Sequence, residues 1–256
     1  MIVADLHVHT RNSDGTLTLE AVPEAAEAAG VSTVAITDHD RLHPDLSTPV
    51  ATVGGVSVVH GIELRVDAGG IQVDLLGYGV RRTPGIESLI ERLQADRIER
   101  GGEIIERVEK RLGTELPIEP HKGIGRPHIA NAIATVSEYG YGDAFETLIG
   151  EGDPCYVPRD VPSFDEGTAV LNDACRLVSL AHPYRYDDPD AALELCSELD
   201  AVERFYPYGE ETDPGAIERA IERHDLLATG GSDAHGTELG AAGLGRKDYR
   251  AFRTAL

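Results

Sequence analysis

The residues best able to do chemistry in this chain are histidines that travel with carboxylates. Asp5-Leu6-His7-Val8-His9 is followed by Ser13-Asp14-Gly15. Then come Thr37-Asp38-His39-Asp40, Gly61-Ile62-Glu63, Ala181-His182-Pro183 and Gly231-Ser232-Asp233-Ala234-His235. Imidazole and carboxylate are the donors that hold Zn, Mn or Fe. Each motif closes an apolar run, so a set spread over the whole chain points to one multinuclear metal site assembled by the fold. His7 and His9 are two apart, and residues two apart on a strand face the same side. Clustered divalent cations suit phosphate-ester hydrolysis, because they make hydroxide available near neutral pH and neutralise charge on the phosphoryl oxygens.

Short β-rich runs and helical stretches must position these groups. Ile2–Leu6, Thr33–Thr37 and Val56–Leu64 read as strands, and Ile71–Tyr78 as a fourth that pairs with the third across Asp67–Gly70. Thr18 is placed to cap a helix that Gly30 ends. Pro84–Leu112 reads as a long charged helix interrupted at Gly101-Gly102, followed by helical stretches at Pro127–Glu138 and Asp143–Ile149. Alternation resumes with a Ser163-x-x-Glu166 capping box, a strand Leu177–Ala181 that delivers His182, and a strand Ala201–Tyr206 that carries Glu203. A helix Ala216–His224 and a strand Leu226–Thr229 lead to Gly230–His235. Strand-then-ligand, repeated along the chain, predicts an α/β barrel with its site at the C-terminal strand ends. The expected organisation is a first barrel part over 1–83, an α-helical insertion over 84–162 and a second barrel part over 163–256.

Composition narrows the class. A length of 256 residues suffices for one large domain with an insertion. No basic, apolar leader opens the sequence, and no apolar run reaches the ~18 residues that span a bilayer. Three cysteines without CxxC spacing suggest reduced thiols and a cytoplasmic protein with no membrane partner. The net charge is −22, with 45 acidic against 23 basic residues, and only Lys110, Lys122 and Lys247 are lysines. Such self-repulsion is tolerable where salt shortens the Debye length to about 3 Å, so the chain reads as halophilic. The charge argues against a groove for duplex nucleic acid and leaves the oligomeric state open.

With these motifs in hand, the chain resembles the PHP (polymerase and histidinol phosphatase) superfamily of metal-dependent phosphoesterases. His-x-His-Thr-x-x-Ser-Asp-Gly stands as His7–Gly15, and the four later motifs follow in family order. The resemblance is nearest the branch of nucleoside 3',5'-bisphosphate phosphatases and 5'-3' oligoribonucleases. That branch carries Gly-Arg-Pro-His-Ile-Ala, here Gly125–Ala130, and Tyr-Val-Pro, here Tyr156–Pro158. The resemblance implies a distorted (β/α)7, TIM-like barrel with two to three divalent ions (Mn, Zn or Fe). It implies that His7, His9, Glu63 and Asp233 hold the first metal. Glu63 would bridge to a second, also held by His182, while Asp14, His39 and His235 hold a third. One position departs from the family: a histidine usually stands where this chain has Asp74. Aspartate is the harder ligand and would tilt that site from Zn toward Mn or Mg.

The expected activity is hydrolysis of phosphate esters of small nucleotides or short oligonucleotides. Three divalent cations facing the four carboxylates Asp14, Glu63, Asp74 and Asp233 leave a charge of +2, which a phosphate monoester dianion balances. Arg126 and His128, in the Gly-Arg-Pro-His segment, and Arg159 are candidates to bind phosphate, since a guanidinium fork matches its geometry. Tyr206 is placed either to stack on a base or to cap the barrel. The alternatives are histidinol phosphatase activity, and a regulatory metal-binding module without catalysis.

Overall fold

The computed structural model describes residues 1–209 and 212–256. Its strands are β1 (Ile2–Val8), β2 (Thr33–Ile36), β3 (Val50–Val53), β4 (Val56–Asp67), β5 (Gln72–Tyr78), β6 (Leu177–Leu180), β7 (Ala201–Phe205), β8 (Leu227–Gly230) and β9 (Leu244–Gly245). Its α-helices are α1 (Val22–Ala29), α2 (Pro84–Leu112), α3 (Arg126–Val136), α4 (Tyr141–Thr147), α5 (Phe164–Ala174), α6 (Pro189–Glu194), α7 (Gly215–His224) and α8 (Arg246–Ala255). Two compact units emerge: Met1–Ser88 with Pro162–Leu256, and Leu89–Val161.

The first unit is an α/β barrel. Its sheet runs β8-β7-β6-β5-β4-β2-β1-β9, with β3 added on β4. β1, β2 and β4 are parallel, as are β6, β7 and β8. Between the two sets, β5 runs antiparallel to both neighbours, because a tight hairpin joins it to β4. That reversal is the distortion of the barrel, and it has a consequence for the site. The start of β5, with Asp74, lies at the end of the barrel where the other strands finish. The sheet curls round until Ala234, just past β8, meets β1. His9 N–H donates to Ala234 O at 2.9 Å, and Ala234 N–H donates to His7 O at 3.2 Å.

Helices cover the outside: α1 packs on β2 and β4, α5 on β4 and β6, α7 on β7, and α8 on β1 and β8. Val22 and Ala26 of α1 bury against Val34, Ile36 and Val58. The second unit has its own core, in which Ile104 and Val108 of α2 pack with Ile129 and Ile133 of α3 and Ala144 of α4. No helix among the described residues is long and apolar enough to cross a membrane.

Some local expectations are corrected. The long helix is not interrupted at Gly101-Gly102 but runs unbroken to Leu112. A Cβ at Gly101 would lie 3.0 Å from the Ile124 side chain, so glycine there permits close packing rather than ending the helix. Thr18 precedes a 3-10 turn, Leu19–Ala21, and its side chain makes no cap. Ser163 does cap α5, accepting from Glu166 N–H at 3.1 Å.

Candidate metal centre

The barrel gathers the motif residues at one end. β1 delivers His7 and His9, the turn after it Asp14, and the segment after β2 His39. Glu63 projects from β4, Asp74 from β5 and Glu203 from β7. His182 follows β6, and Asp233 and His235 follow β8. His7 and His9 are wholly buried, as strand alternation requires of two side chains sharing the interior face.

Their donor atoms converge. His7 Nε2 lies 3.4 Å from Glu63 Oε2 and 3.5 Å from Asp233 Oδ1. His9 Nε2 lies 3.3 Å and 3.1 Å from the same two oxygens. Tetrahedral ligands about 2.1 Å from a cation are roughly 3.4 Å from one another, so this spacing is that of one coordination shell. A second group joins His39 and His235 on Asp14, with Nε2–oxygen separations of 3.7 Å and 3.4 Å, and His9 beside them. A third joins His182 Nε2 to Glu63 Oε1 at 3.1 Å and Asp74 Oδ2 at 3.8 Å. His7 Nε2, both ring nitrogens of His9 and Asp14 Oδ1 are buried without a hydrogen-bond partner. Each such group costs about 1–3 kcal/mol unless something satisfies it, and a cation does. The donor set therefore fits divalent metal.

Groups behind the donors hold them in place. Glu203 accepts from His7 Nδ1 at 3.1 Å and from His182 N–H at 2.8 Å, which turns the Nε2 lone pair of His7 toward the cluster. Asp38 gathers the loop that carries Asp14, accepting from Thr10 N–H, Ser13 Oγ and Asn12 Nδ2. Asp5 does the same for the Gly-Ser-Asp loop through Ser232 N–H and Gly240 N–H. These two motif carboxylates therefore organise loops around the cluster. A Cβ at Gly231 would sit 2.2 Å from His7 N, so only glycine lets that loop cross β1. His182 and Asp233 both hold left-handed backbone, with φ of 26° and 51°, a strain found where function demands a fixed geometry.

Electrostatics follow from burial among so many charges. Burial opposes the charged imidazole of His7, yet Glu203, Glu63 and Asp233 outweigh it and hold its pKa well above 6.5. For His9, burial and the neighbouring His39 pull the pKa below 6.5. His235 is raised against burial by its bond to Asp14. A raised histidine stabilises the metal-free fold fully below pH 6.5, and that contribution is lost as pH rises through the raised value. Ligation needs the lone pair, so metal loading at pH 7 is expected to release protons, and to tighten as pH rises. Calorimetric titration with Mn in two buffers of different ionisation enthalpy checks this. Equal heats in both would contradict it.

Arg65, Arg185 and Tyr186, beside the cluster, have no signal in the sequence motifs. Arg65, opposite Asp74 in the β4–β5 register, grips it with both arms: Nε to Oδ1 at 2.8 Å and Nη2 to Oδ2 at 2.6 Å. A cation at Glu63, His182 and Asp74 would share Oδ2 with that guanidinium. Arg185 donates to Asp233 Oδ2 at 3.0 Å, and Tyr206 OH donates to the same oxygen at 2.9 Å. Tyr186 OH accepts from Asp74 N–H at 2.8 Å.

The helical unit holds Arg126 and His128. Gly125 caps α3, and its N–H donates to His128 Nδ1 at 3.1 Å, which assigns the ring proton to Nε2. The Arg126 guanidinium lies 5.7 Å from the ring centres of both Phe145 and Tyr156. Arg97 and Arg100, one turn apart on α2, are both buried. Arg100 Nε donates to Val157 O at 2.7 Å. Burial, with the charges of Arg126, Arg159 and Arg97, pushes its pKa down to about 10.

Comparison with known proteins bears on this geometry. The profile of the PHP domain matches residues 5–186. The phosphoribosyl 1,2-cyclic phosphate 1,2-diphosphodiesterase of Eggerthella lenta is 30% identical over 275 positions, covering 98% of this chain and 99% of that protein. The 3',5'-nucleoside bisphosphate phosphatase of Chromobacterium violaceum is 25% identical, covering 95% and 91%. A solved structure from Bifidobacterium adolescentis, assigned as a metal-dependent phosphoesterase, is 26% identical and superposes with a TM-score of 0.81 over 99% of this chain and 96% of its own.

Proposed function

The chain belongs to the PHP domain family as a metal-dependent phosphoesterase, and we propose that it hydrolyses phosphate esters of small nucleotides or short oligonucleotides. The observation that carries this is the convergence of nine imidazole and carboxylate residues, from separate strand ends, at coordination spacing. The two curated relatives act on substrates whose names place two phosphates on one ribose, which supports a substrate of that kind here.

In this reading His7, His9, Glu63 and Asp233 hold one cation, and Asp14, His39 and His235 another. Glu63, His182 and Asp74 form a weaker third site, because Arg65 competes for Asp74. The ions are Mn, Zn or Fe. When bound, they supply Lewis acidity toward a phosphoryl oxygen and acidify water. Glu203 keeps a proton on His7 Nδ1. Arg185 and the Tyr206 hydroxyl both donate to Asp233, and the exposed Arg185 guanidinium offers positive charge to a substrate anion. Arg126, His128 through Nε2–H, and Arg159 are assigned to a substrate phosphate. The planar guanidinium forks of Arg126 and Arg159 match phosphate geometry, which supports that role.

The test is a substrate panel with the Mn-loaded protein at high salt. Adenosine 3',5'-bisphosphate and short RNA should be cleaved faster than histidinol phosphate. The reverse order would make the protein a histidinol phosphatase, and no cleavage of any of them would leave a metal-binding module. Arg126→Ala is expected to lower kcat/KM for the nucleotide by roughly 10- to 100-fold, the range of one charged hydrogen bond, with metal content unchanged. Unaltered kcat/KM would remove Arg126 from the substrate site.

A further inference from the structure

Four of the nine tyrosines of this aromatic-poor chain fall in two short segments, His182-Pro183-Tyr184-Arg185-Tyr186 and Tyr206-Pro207-Tyr208. One follows β6 and the other β7, so both sit at the end of the barrel that carries the donors. Tyr184, Tyr206 and Tyr208 are half-buried. Their rings form a continuous run that starts at a candidate ligand. His182 to Tyr206 is 5.5 Å between centroids, Tyr206 to Tyr208 is 4.7 Å, and Tyr208 to Tyr184 is 5.5 Å. All three tyrosines line a depression of about 410 Å³, together with Phe205, Pro214 and Ile217.

The polar ends of these rings are already engaged with the protein. Tyr206 OH donates to Asp233, Tyr184 OH donates to Asp213 O at 2.7 Å, and Tyr208 OH accepts from Tyr184 N–H at 3.4 Å. Hydroxyls fixed in this way orient the rings and leave their faces as the contact surface. Arg185 adds a guanidinium over Tyr206, 5.9 Å from its centroid, while donating to Asp233. The arrangement is therefore a wall of flat apolar faces that begins within hydrogen-bond distance of a donor carboxylate and leads away from it.

We propose that Tyr184, Tyr206 and Tyr208 form a subsite for the aromatic base of a nucleotide, beside the donor cluster. A base is the occupant that fits: it is flat, it stacks on tyrosine whatever its sequence identity, and its phosphate is carried a short distance away by the ribose. A cavity of this volume is in the range of small-ligand sites. The subsite rests on the nucleotide reading above, and it separates substrates that carry a base from phosphoribosyl esters that do not. The competing explanation is that the tyrosines only stiffen the two segments. Stiffening would affect melting, but it gives no reason to prefer a ligand with a base over one without.

Calorimetric binding of adenosine 5'-monophosphate and of ribose 5-phosphate to the Mn-loaded protein tests the proposal without needing turnover. Stacking on aromatic side chains contributes about 1–3 kcal/mol per base, so the wild type should bind the nucleotide roughly 5- to 150-fold more tightly. Tyr208→Leu should bring the ratio of the two affinities close to one, and Tyr208→Phe should keep it. Should Tyr208→Leu fail to fold, Tyr184→Leu reads the same ratio. Equal affinities in the wild type, or a ratio unmoved by either leucine variant, would overturn the subsite. Hydrolysis of the bisphosphate in the same samples reports on the phosphoesterase reading separately.

Discussion

Glu63→Gln is expected to cut phosphate release by at least about 100-fold and to lower bound metal, while the fold survives. Glu63 is buried on β4, with its two oxygens reaching four imidazoles. Oε2 lies 3.4 Å from His7, 3.3 Å from His9 and 2.9 Å from His39, and Oε1 lies 3.1 Å from His182. The substitution keeps the shape and removes the charge, so packing is spared. It also places an amide N–H₂ where a cation's ligand should be. Loss of merely an outer partner of a ligand typically costs 10- to 100-fold in affinity or activity, and a shared ligand should exceed that. Phosphate release and elemental analysis on the same preparation check the outcome. If the variant kept most of its turnover with full metal content, Glu63 would not be a shared ligand.

The second large effect is salt dependence. The melting temperature, with metal saturating, is expected to climb by at least about 10 °C between 0.1 and 2 M KCl. For a chain of this size 1 kcal/mol moves the midpoint by roughly 2–4 °C, so the rise corresponds to a few kcal/mol of relieved repulsion. The source is the net charge of −22. The Debye length falls from about 10 Å at 0.1 M to about 3 Å at 1 M, and most surface repulsion disappears with it. Saturating metal is required because bound cations both stabilise the native state and neutralise part of the same charge. A curve that is flat over this range would remove the halophilic reading.

Much of the fold and of the donor cluster was legible in the sequence, for a physical reason. Strand alternation makes His7 and His9 face one way from adjacent residue types alone, and a ligand placed just past an apolar run marks a strand end. What escaped needs register or three-dimensional neighbours. Arg65 grips Asp74 only because a hairpin sets them opposite each other, nine residues apart. Glu203 stood on an expected strand, but nothing local shows that it reaches His7, 196 residues away. Asp5 and Asp38 sit inside ligand-like motifs and yet organise loops, a division that spacing cannot make. Gly101 looked like a helix break because its packing partner, Ile124, belongs to another segment. The short β3 and β9 and the charged α8 carry little apolar pattern and were not foreseen.

The most direct test of the account is phosphate release from adenosine 3',5'-bisphosphate by metal-stripped protein as Mn is added back in known ratio to the chain. The account predicts negligible release from the stripped protein, and turnover that rises until the sites built on His7, His9, Glu63 and Asp233 and on Asp14, His39 and His235 are filled, at about two ions per chain or more. Full turnover in protein shown by elemental analysis to hold no divalent metal would contradict it.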